Sequence, residues 1–503
     1  MRSQTTKTMI ALAITASLGI SSSALADSSN TAEITQTTAA SGAVVGQDAT
    51  VRQTGDLNVA KVKQTGDAQE TNVTQDGVWQ EAYVNSAGEG NTIDIDQTED
   101  WHIANADITG NDNSITVNQS GFFNETDIDL SGDGNEATVM QAGEQNGAVV
   151  ELIGDENTSY VEQDGNGNFA TFRVEGDAND GDITQYGDNN VAGFVSLDIT
   201  PNMGNNNDVE VYQEGNDNLG AVKGVAGDNN NFIVSQEGDD NTGFVYELTG
   251  SDNEIEIEQV GTSNTAYLAL ATGDDNDIEI EQDGLSNTIG DTLIAEIQGS
   301  DNMIRIEQDG DNNGAEFQVF GDENSLVLDQ EGTGNFATIG QYGDDNDVSI
   351  MSDGDDNQAV AFTELDDNGI EIAQEGNENF GYADVLGFGN DVDIEQDGDQ
   401  NEALVSVVGF DNTEVEMTQE GDLNLIDLII VGDENIATIA QTGNGNWVGG
   451  ESVEAFEVNG VDNSLNIAQT GNDNLVMGSQ SGSGNVISVT QTGDFNTATV
   501  MQN

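Results

Sequence analysis

The side chains with the most chemical capacity in this 503-residue chain are amides placed at fixed intervals. Gln97, Gln119, Gln141, Gln163 and Gln185 stand twenty-two residues apart, and Asn113, Asn135 and Asn157 share that interval. Towards the two ends of the series the interval halves: Gln53, Gln64 and Gln75 are eleven apart, as are Gln469, Gln480, Gln491 and Gln502. A primary amide carries both donors and an acceptor. Identical amides stacked at strand spacing therefore bond to one another in a ladder. That chemistry holds and templates strands; it breaks no covalent bond.

Bond-breaking chemistry is poorly served. His102 is the single histidine, and it stands beside Trp101 where the pattern elsewhere has Asn. It has no nucleophile or acid-base partner in sequence, so it reads as a tolerated substitution. There is no cysteine, hence neither a disulfide nor a Cys/His metal set. Carboxylate pairs can cleave polysaccharides, but here carboxylates are everywhere and form no distinct constellation with Lys, Arg or His. No phosphate loop or dinucleotide fingerprint sits in a strand-helix context. The expectation is a non-enzyme, with no catalytic, cofactor-binding or metal-ligating residue to name. Trp79, Trp101 and Trp447 fall near corners of the pattern, either as surface aromatics for contact or as fillers of the core edge.

The elements that must position the amides follow from an eleven-residue unit. Asn135, Ala137, Val139, Gln141 and Gly143 show it, and Asn146, Ala148, Val150, Leu152 and Gly154 repeat it with Leu in place of Gln. The key residues of each unit share one parity, so they line one face of a strand. About forty such halves run from Gln47 to Gln502. One half cannot bury its own apolar face, whereas stacked coils make a continuous core. The fold class expected is all-β: a β-solenoid of about twenty two-strand coils with eleven-residue half-repeats. Gly followed three residues later by Asn, as at Gly154, Gly321 and Gly432, marks the corner, Gly and Asn both tolerating positive φ. The spacing stretches around Pro201, Asp291 and Gly450, where the excess is expected to leave as loops at corners.

Residues 1–26 have the form of a signal peptide, with Arg2 and Lys7 before an apolar run and Ala24-Leu25-Ala26 as cleavage site. Residues 27–46 form an N-terminal segment, and 47–503 the repeat domain. Export through the Sec route and the periplasm, without membrane insertion, is the expectation. The formal net charge of −87, from 95 acidic and 8 basic residues, has the wrong sign for nucleic acid. It suits cations, and stacking sharpens the point. Glu254, Glu256 and Glu258 would lie beneath Asp277, Glu279 and Glu281 one coil on. Like charges ~4.8 Å apart repel by ~1 kcal/mol in water and ~3.5 kcal/mol at an effective dielectric of 20. Ca2+ or other divalent cations on the acidic faces, or salt, are expected to relieve this, with Arg305 interrupting the ladder.

The unit resembles the curlin repeat. Gln53-Thr54-Gly55-Asp56-Leu57-Asn58-Val59-Ala60 followed by Gln64, and Gln491-Thr492-Gly493-Asp494-Phe495-Asn496-Thr497-Ala498 followed by Gln502, carry the likeness. It implies a secreted structural protein forming or nucleating extracellular amyloid fibres of a biofilm matrix or surface adhesive layer at the bacterial cell surface. It also implies a curli-type secretion pore as a partner, addressed by the 27–46 segment, and self-association or other curlin subunits meeting at exposed solenoid ends. The chain departs from curlins in its length, its acidity, and the aliphatics Leu130, Leu152 and Val174 in the second strand of the coil. The alternative is therefore a soluble acidic β-solenoid acting as a cation-dependent adhesin or surface-binding protein.

Overall fold

The computed structural model describes residues 29–37, 46–194, 202–290, 295–450 and 454–503. The expected signal peptide, Pro201 and Asp291 lie outside the described residues. The chain divides into two units, one ending at Gly187 and one beginning at Asp188.

In the first unit, seven strands from Asp48–Asp56 to Asp180–Tyr186 stack in parallel as a first sheet. Seven more, from Thr31–Thr37 to Phe169–Glu175, stack as a second sheet. The chain alternates between them, so two strands and two corners make one coil, and Gln141 pairs in register with Gln163. The second unit is built the same way, its first sheet running from Asp208–Glu214 to Val486–Thr492. Its second sheet ends at Thr497–Gln502. The fold is a β-solenoid, and the two units together hold about twenty coils. Alternation explains each strand: Ala137, Val139 and Gln141 face inward from one sheet and Ala148, Val150 and Leu152 from the other, all at most 2% exposed.

Thr31–Thr37 lies in the segment set apart from the repeat by sequence, yet it is a strand of the solenoid. It pairs with Val59–Thr65, and Gln36 Nε2 donates to Gln64 Oε1 at 2.8 Å. The corners differ from expectation in one respect. Asn157 does not take the left-handed conformation; the residue before it, Glu156, does, with φ 60°. The asparagine side chain has to turn inward to reach the neighbouring coils, and the bend passes to its predecessor. Position two of the motif adds an outer series: Asp133 N–H donates to Asp155 Oδ1, and Asp155 N–H to Asp177 Oδ1, each at 2.8 Å.

The stretched segments also differ. They do not leave at corners but from the middle of second-sheet strands. Thr288–Ile289 and Ala295–Gln298 lie on either side of an insertion, and both pair with the single strand Gly314–Phe320. Trp447–Gly449 and Phe456–Val461 share Leu425–Val431 in the same way. Each half-strand keeps its neighbours, and the corners on either side keep their register.

The corner glycine is fixed by close approach. A Cβ on Gly154 would stand 1.9 Å from Gly176 O, at a φ of +127°. Gly154→Ala is expected to destabilise the first unit by about 3 kcal/mol. Exposed Glu136→Ala should stay within about 0.5 kcal/mol. Urea unfolding followed by circular dichroism measures both, and equal midpoints would contradict this account of the corner.

Candidate functional site: amide ladders and open strand edges

In the first unit, Gln53, Gln75, Gln97, Gln119, Gln141, Gln163 and Gln185 form one continuous ladder. Each Nε2 donates to the Oε1 of the next at 2.8–2.9 Å. The second Nε2 hydrogen is also used: that of Gln141 goes to Glu125 O at 3.0 Å, across the coil. In the second unit the ladder bridges the stretched spacings intact, with Gln282 to Gln308 at 2.8 Å and Gln441 to Gln469 at 2.9 Å. Gln469 continues to Gln491 at 2.9 Å. Gln64 and Gln480 belong to the second sheet; Gln480 Nε2 donates to Ser464 O. Gln502 lies in register with Gln480, half-buried.

The asparagines do a different task. Asn113 Oδ1 accepts the backbone N–H of Asn135 at 2.9 Å, and its Nδ2 donates to Gly132 O at 2.8 Å. Asn135 and Asn157 repeat both bonds. One side chain thus ties two successive corners together. His102 is fully buried in the equivalent series of the other corner. Its Nε2 faces Thr98 O at 2.7 Å, and a carbonyl only accepts, so Nε2 carries the proton. Nδ1 then accepts the Asn124 N–H at 3.3 Å. The imidazole reproduces the donor and acceptor of an asparagine, and burial lowers its pKa, keeping it neutral. Trp79 and Trp101 hold the left-handed position just before this series, stacked at 4.8 Å, with Phe123 next at 5.2 Å. Trp447 also stands next to a corner, half-buried as the first residue of a second-sheet strand directly after Asn446. Among the described residues no three Asp, Glu or His converge in a way that could hold a metal ion. No helix among them is long and apolar enough to cross a membrane.

Eleven segments match the family model of the Curlin associated repeat: 47–77, 67–98, 110–143, 132–165, 204–238, 250–284, 299–330, 321–354, 366–398, 389–421 and 460–493. They span more than half of the chain. The chain belongs to the curlin repeat family. No curated protein matches it. The matched segments supply most of the Gln, Gly and Asn of the ladders just described, Gln185 and Gln441 lying outside them. The second-sheet position facing the Gln ladder carries Leu130, Leu152 and Val174, so only one of the two sheets keeps a continuous glutamine series.

Among the described residues Val486–Thr492 and Thr497–Gln502 each pair with one neighbour only, Ser464–Thr470 and Leu475–Ser483 respectively. Val486 is 67% and Phe495 76% exposed, whereas their counterparts one coil earlier are half-buried or polar. On the outer faces, Glu254, Glu256 and Glu258 pair in register with Asp277, Glu279 and Glu281, and Glu279 with Arg305. Arg305 bonds Glu307 at 2.9 Å, one of two ion pairs among the described residues.

Among the described residues of the second unit the ladder has one gap. Ser352 stands between Gln330 and Gln374; its Oγ donates to Gln374 Oε1 at 3.2 Å, but Gln330 Nε2 is buried with no partner. Ser352→Gln is expected to close the series and raise the stability of the second unit by about 1 kcal/mol. A urea midpoint equal to or below that of the parent chain would count against a net gain from ladder bonds.

The stacked acids set a pH dependence. At Asp393, desolvation and then the charges of Glu371, Glu395, Glu416 and Asp391 push the carboxyl from 3.8 up to about 6. Asp94, Asp129, Glu256, Glu281 and Asp329 shift the same way, burial leading in each. The folded chain holds these protons more tightly than the unfolded chain. Their stabilising effect is therefore complete below about pH 4 and lost as pH rises through about 6. His102 acts in the opposite sense below its ordinary pKa of 6.5 but is one group against many. Thermal scans should show the melting temperature rising as pH falls from 7 to about 5. Asp393→Asn should raise it at pH 7 and leave it unchanged near pH 4.

Proposed function

We propose that this curlin-repeat chain is a secreted structural protein that forms or nucleates extracellular fibres of a biofilm matrix or adhesive layer, not an enzyme. The observation that carries the reading is the direction of the glutamine ladder. Among the described residues each glutamine-to-glutamine bond runs from Nε2 to the Oε1 of the following coil. Among the described residues no hydrogen bond reaches Gln53 Oε1, and Gln491 Nε2 bonds only Leu475 O of the preceding coil. One edge thus offers acceptors and the other donors. Edges that complement each other head to tail make an open, non-closing contact, which grows a filament. A second copy or a shorter curlin subunit is the partner of this reading. Export by a signal peptide at 1–26, through the periplasm and a curli-type pore, is its route.

A second reading rests on the in-register acids of Glu254–Thr262 and Asp277–Leu285: a soluble solenoid that binds surfaces through divalent cations. The two diverge at the open edge. Outward residues direct their backbone to the following coil, as Thr158 N–H does to Asn179 O. In the last coil Ser488 and Thr499 are such residues, and proline there removes an edge donor without breaking an internal bond. Mature chain is expected to give filaments by electron microscopy and seeded dye kinetics. Ser488→Pro/Thr499→Pro should keep its β circular dichroism and lose elongation. Parent chain that stays unpolymerised with and without calcium sinks the fibre reading, and calcium-dependent surface binding by such monomers would favour the second.

A further inference from the structure

The two outer faces of the second unit are chemically unlike. Across the coils from Gly314 to Val431, the first sheet turns out Asp329, Asp353, Glu371, Asp393, Glu395 and Glu416. The second sheet of the same coils, strands Gly314–Phe320, Phe336–Tyr342, Gln358–Glu364, Phe380–Phe388, Glu402–Phe410 and Leu425–Val431, is paired in register throughout. It turns out Phe336, Phe362, Tyr382, Leu404, Val408 and Ile429. Phe336, Val408 and Ile429 are 37–39% exposed in strands whose inward residues are almost wholly buried. A face with this many outward apolar side chains is unusual on a surface otherwise so acidic.

The face is also flat. Gly340 lies beneath the ring of Phe362, where a Cβ would stand 2.6 Å from Cδ1, and Gly314 lies beneath Phe336 at 2.8 Å. The rings therefore lie along the sheet over glycines of the preceding coil instead of standing out from it. Phe320 and Tyr342 stack at 5.5 Å on the same face. Flat in-register sheets pack face to face about 10 Å apart.

We propose that a second copy of the chain covers this face, so that two solenoids join side by side through the second sheets of their second units. Charge sets the orientation of such a pair. With a formal net charge of −87, two copies repel in any approach that brings first-sheet faces together. Joining the second-sheet faces turns both acidic faces outward to water. Area permits it: six strands ~4.8 Å apart and about seven residues long at ~3.3 Å give roughly 650 Å² on each copy, or roughly 1,300 Å² for the pair. That falls at the lower end of stable interfaces. Five acids interrupt the patch, Glu316, Glu364, Asp384, Glu402 and Asp427; of these, Asp384 and Asp427 have carboxyls held above the usual range by burial, with Glu364 adding to the effect at Asp384. This eases their transfer out of water. The contact is self-complementary and closes at two copies. It is independent of growth at strand edges.

The test is made on the edge-blocked Ser488→Pro/Thr499→Pro chain, where open-ended growth does not mask pairing. Sedimentation equilibrium is expected to give twice the mass of one chain. Adding Phe362→Glu/Leu404→Glu should weaken pairing roughly tenfold or more with unchanged circular dichroism. Ala373→Glu on the first sheet should leave it intact. An edge-blocked chain that stays at the mass of one copy overturns the proposal, whether its apolar face is bare or binds lipid vesicles. So does pairing that the Phe362→Glu/Leu404→Glu change leaves unaltered. Open-ended polymer in the edge-blocked chain, dispersed by the two glutamates, would fault the edge reading and leave side-by-side contact standing.

Discussion

Register is the constraint on which the rest of this structure depends. Each inward residue sits on its equivalent one coil away, so a buried polar group has a predictable partner only if that partner is the same polar group. Glutamine and asparagine satisfy this because an amide donates and accepts at once. A serine does not reach, as the unpartnered Gln330 Nε2 beside Ser352 shows. Burying a polar atom without a partner costs about 1–3 kcal/mol. Long runs of buried amides therefore persist only where the register never slips.

That requirement falls unequally on the two sheets. The first sheet carries the glutamine ladder, and its described strands run unbroken for seven or nine residues. The ladder crosses intervals of 26 and 28 residues without a lengthened bond. The second sheet holds mostly aliphatics at the matching inward position, as at Leu152 and Val385. Aliphatic packing is non-directional and tolerates a local shift. The added residues accordingly interrupt second-sheet strands, and the same sheet is free to present a different outer surface. One sheet keeps the period; the other is where the chain can vary.

Much of this was legible in the residues. The period, the inward parity, the Gln and Asn series and the acid register of Glu254 on Asp277 all follow from counting, because the strand repeat of two is rigid and each Gln marks its coil even where the interval is twenty-three instead of twenty-two. Three features were not. The left-handed residue before the corner Asn is often Asp, Asn or Gly, as at Asp112, Asn229 and Gly134, but is also Phe123, Gln145 or Glu156, since position more than residue type imposes it. The insertions were misplaced to corners because length alone does not say which sheet lacks an amide ladder to protect. The contrast between faces was obscured by averaging outward positions of both sheets, although Phe336, Phe362 and Tyr382 were visible once the two parities were separated by sheet.

His102 shows how the constraint governs even a residue that invites a catalytic reading. A histidine with one nitrogen donating to Thr98 O and the other accepting from Asn124 N–H has both ring nitrogens committed. It has no free lone pair to take a substrate proton and no solvent contact through which to exchange one. Protonation would turn the Nδ1 acceptor into a second donor facing a backbone N–H, an arrangement the buried corner does not compensate. The same logic extends to the carboxylates at the corners. Asp133, Asp155 and Asp177 form a repeating series, and Asp155 and Asp177 each spend one oxygen on the backbone N–H of the preceding coil. Part of the negative charge on this chain is thus structural, aimed at peptide dipoles, and the stack tolerates it for that reason. The acids with no such bond, on the flat of the first sheet, are the ones whose repulsion the solvent has to screen.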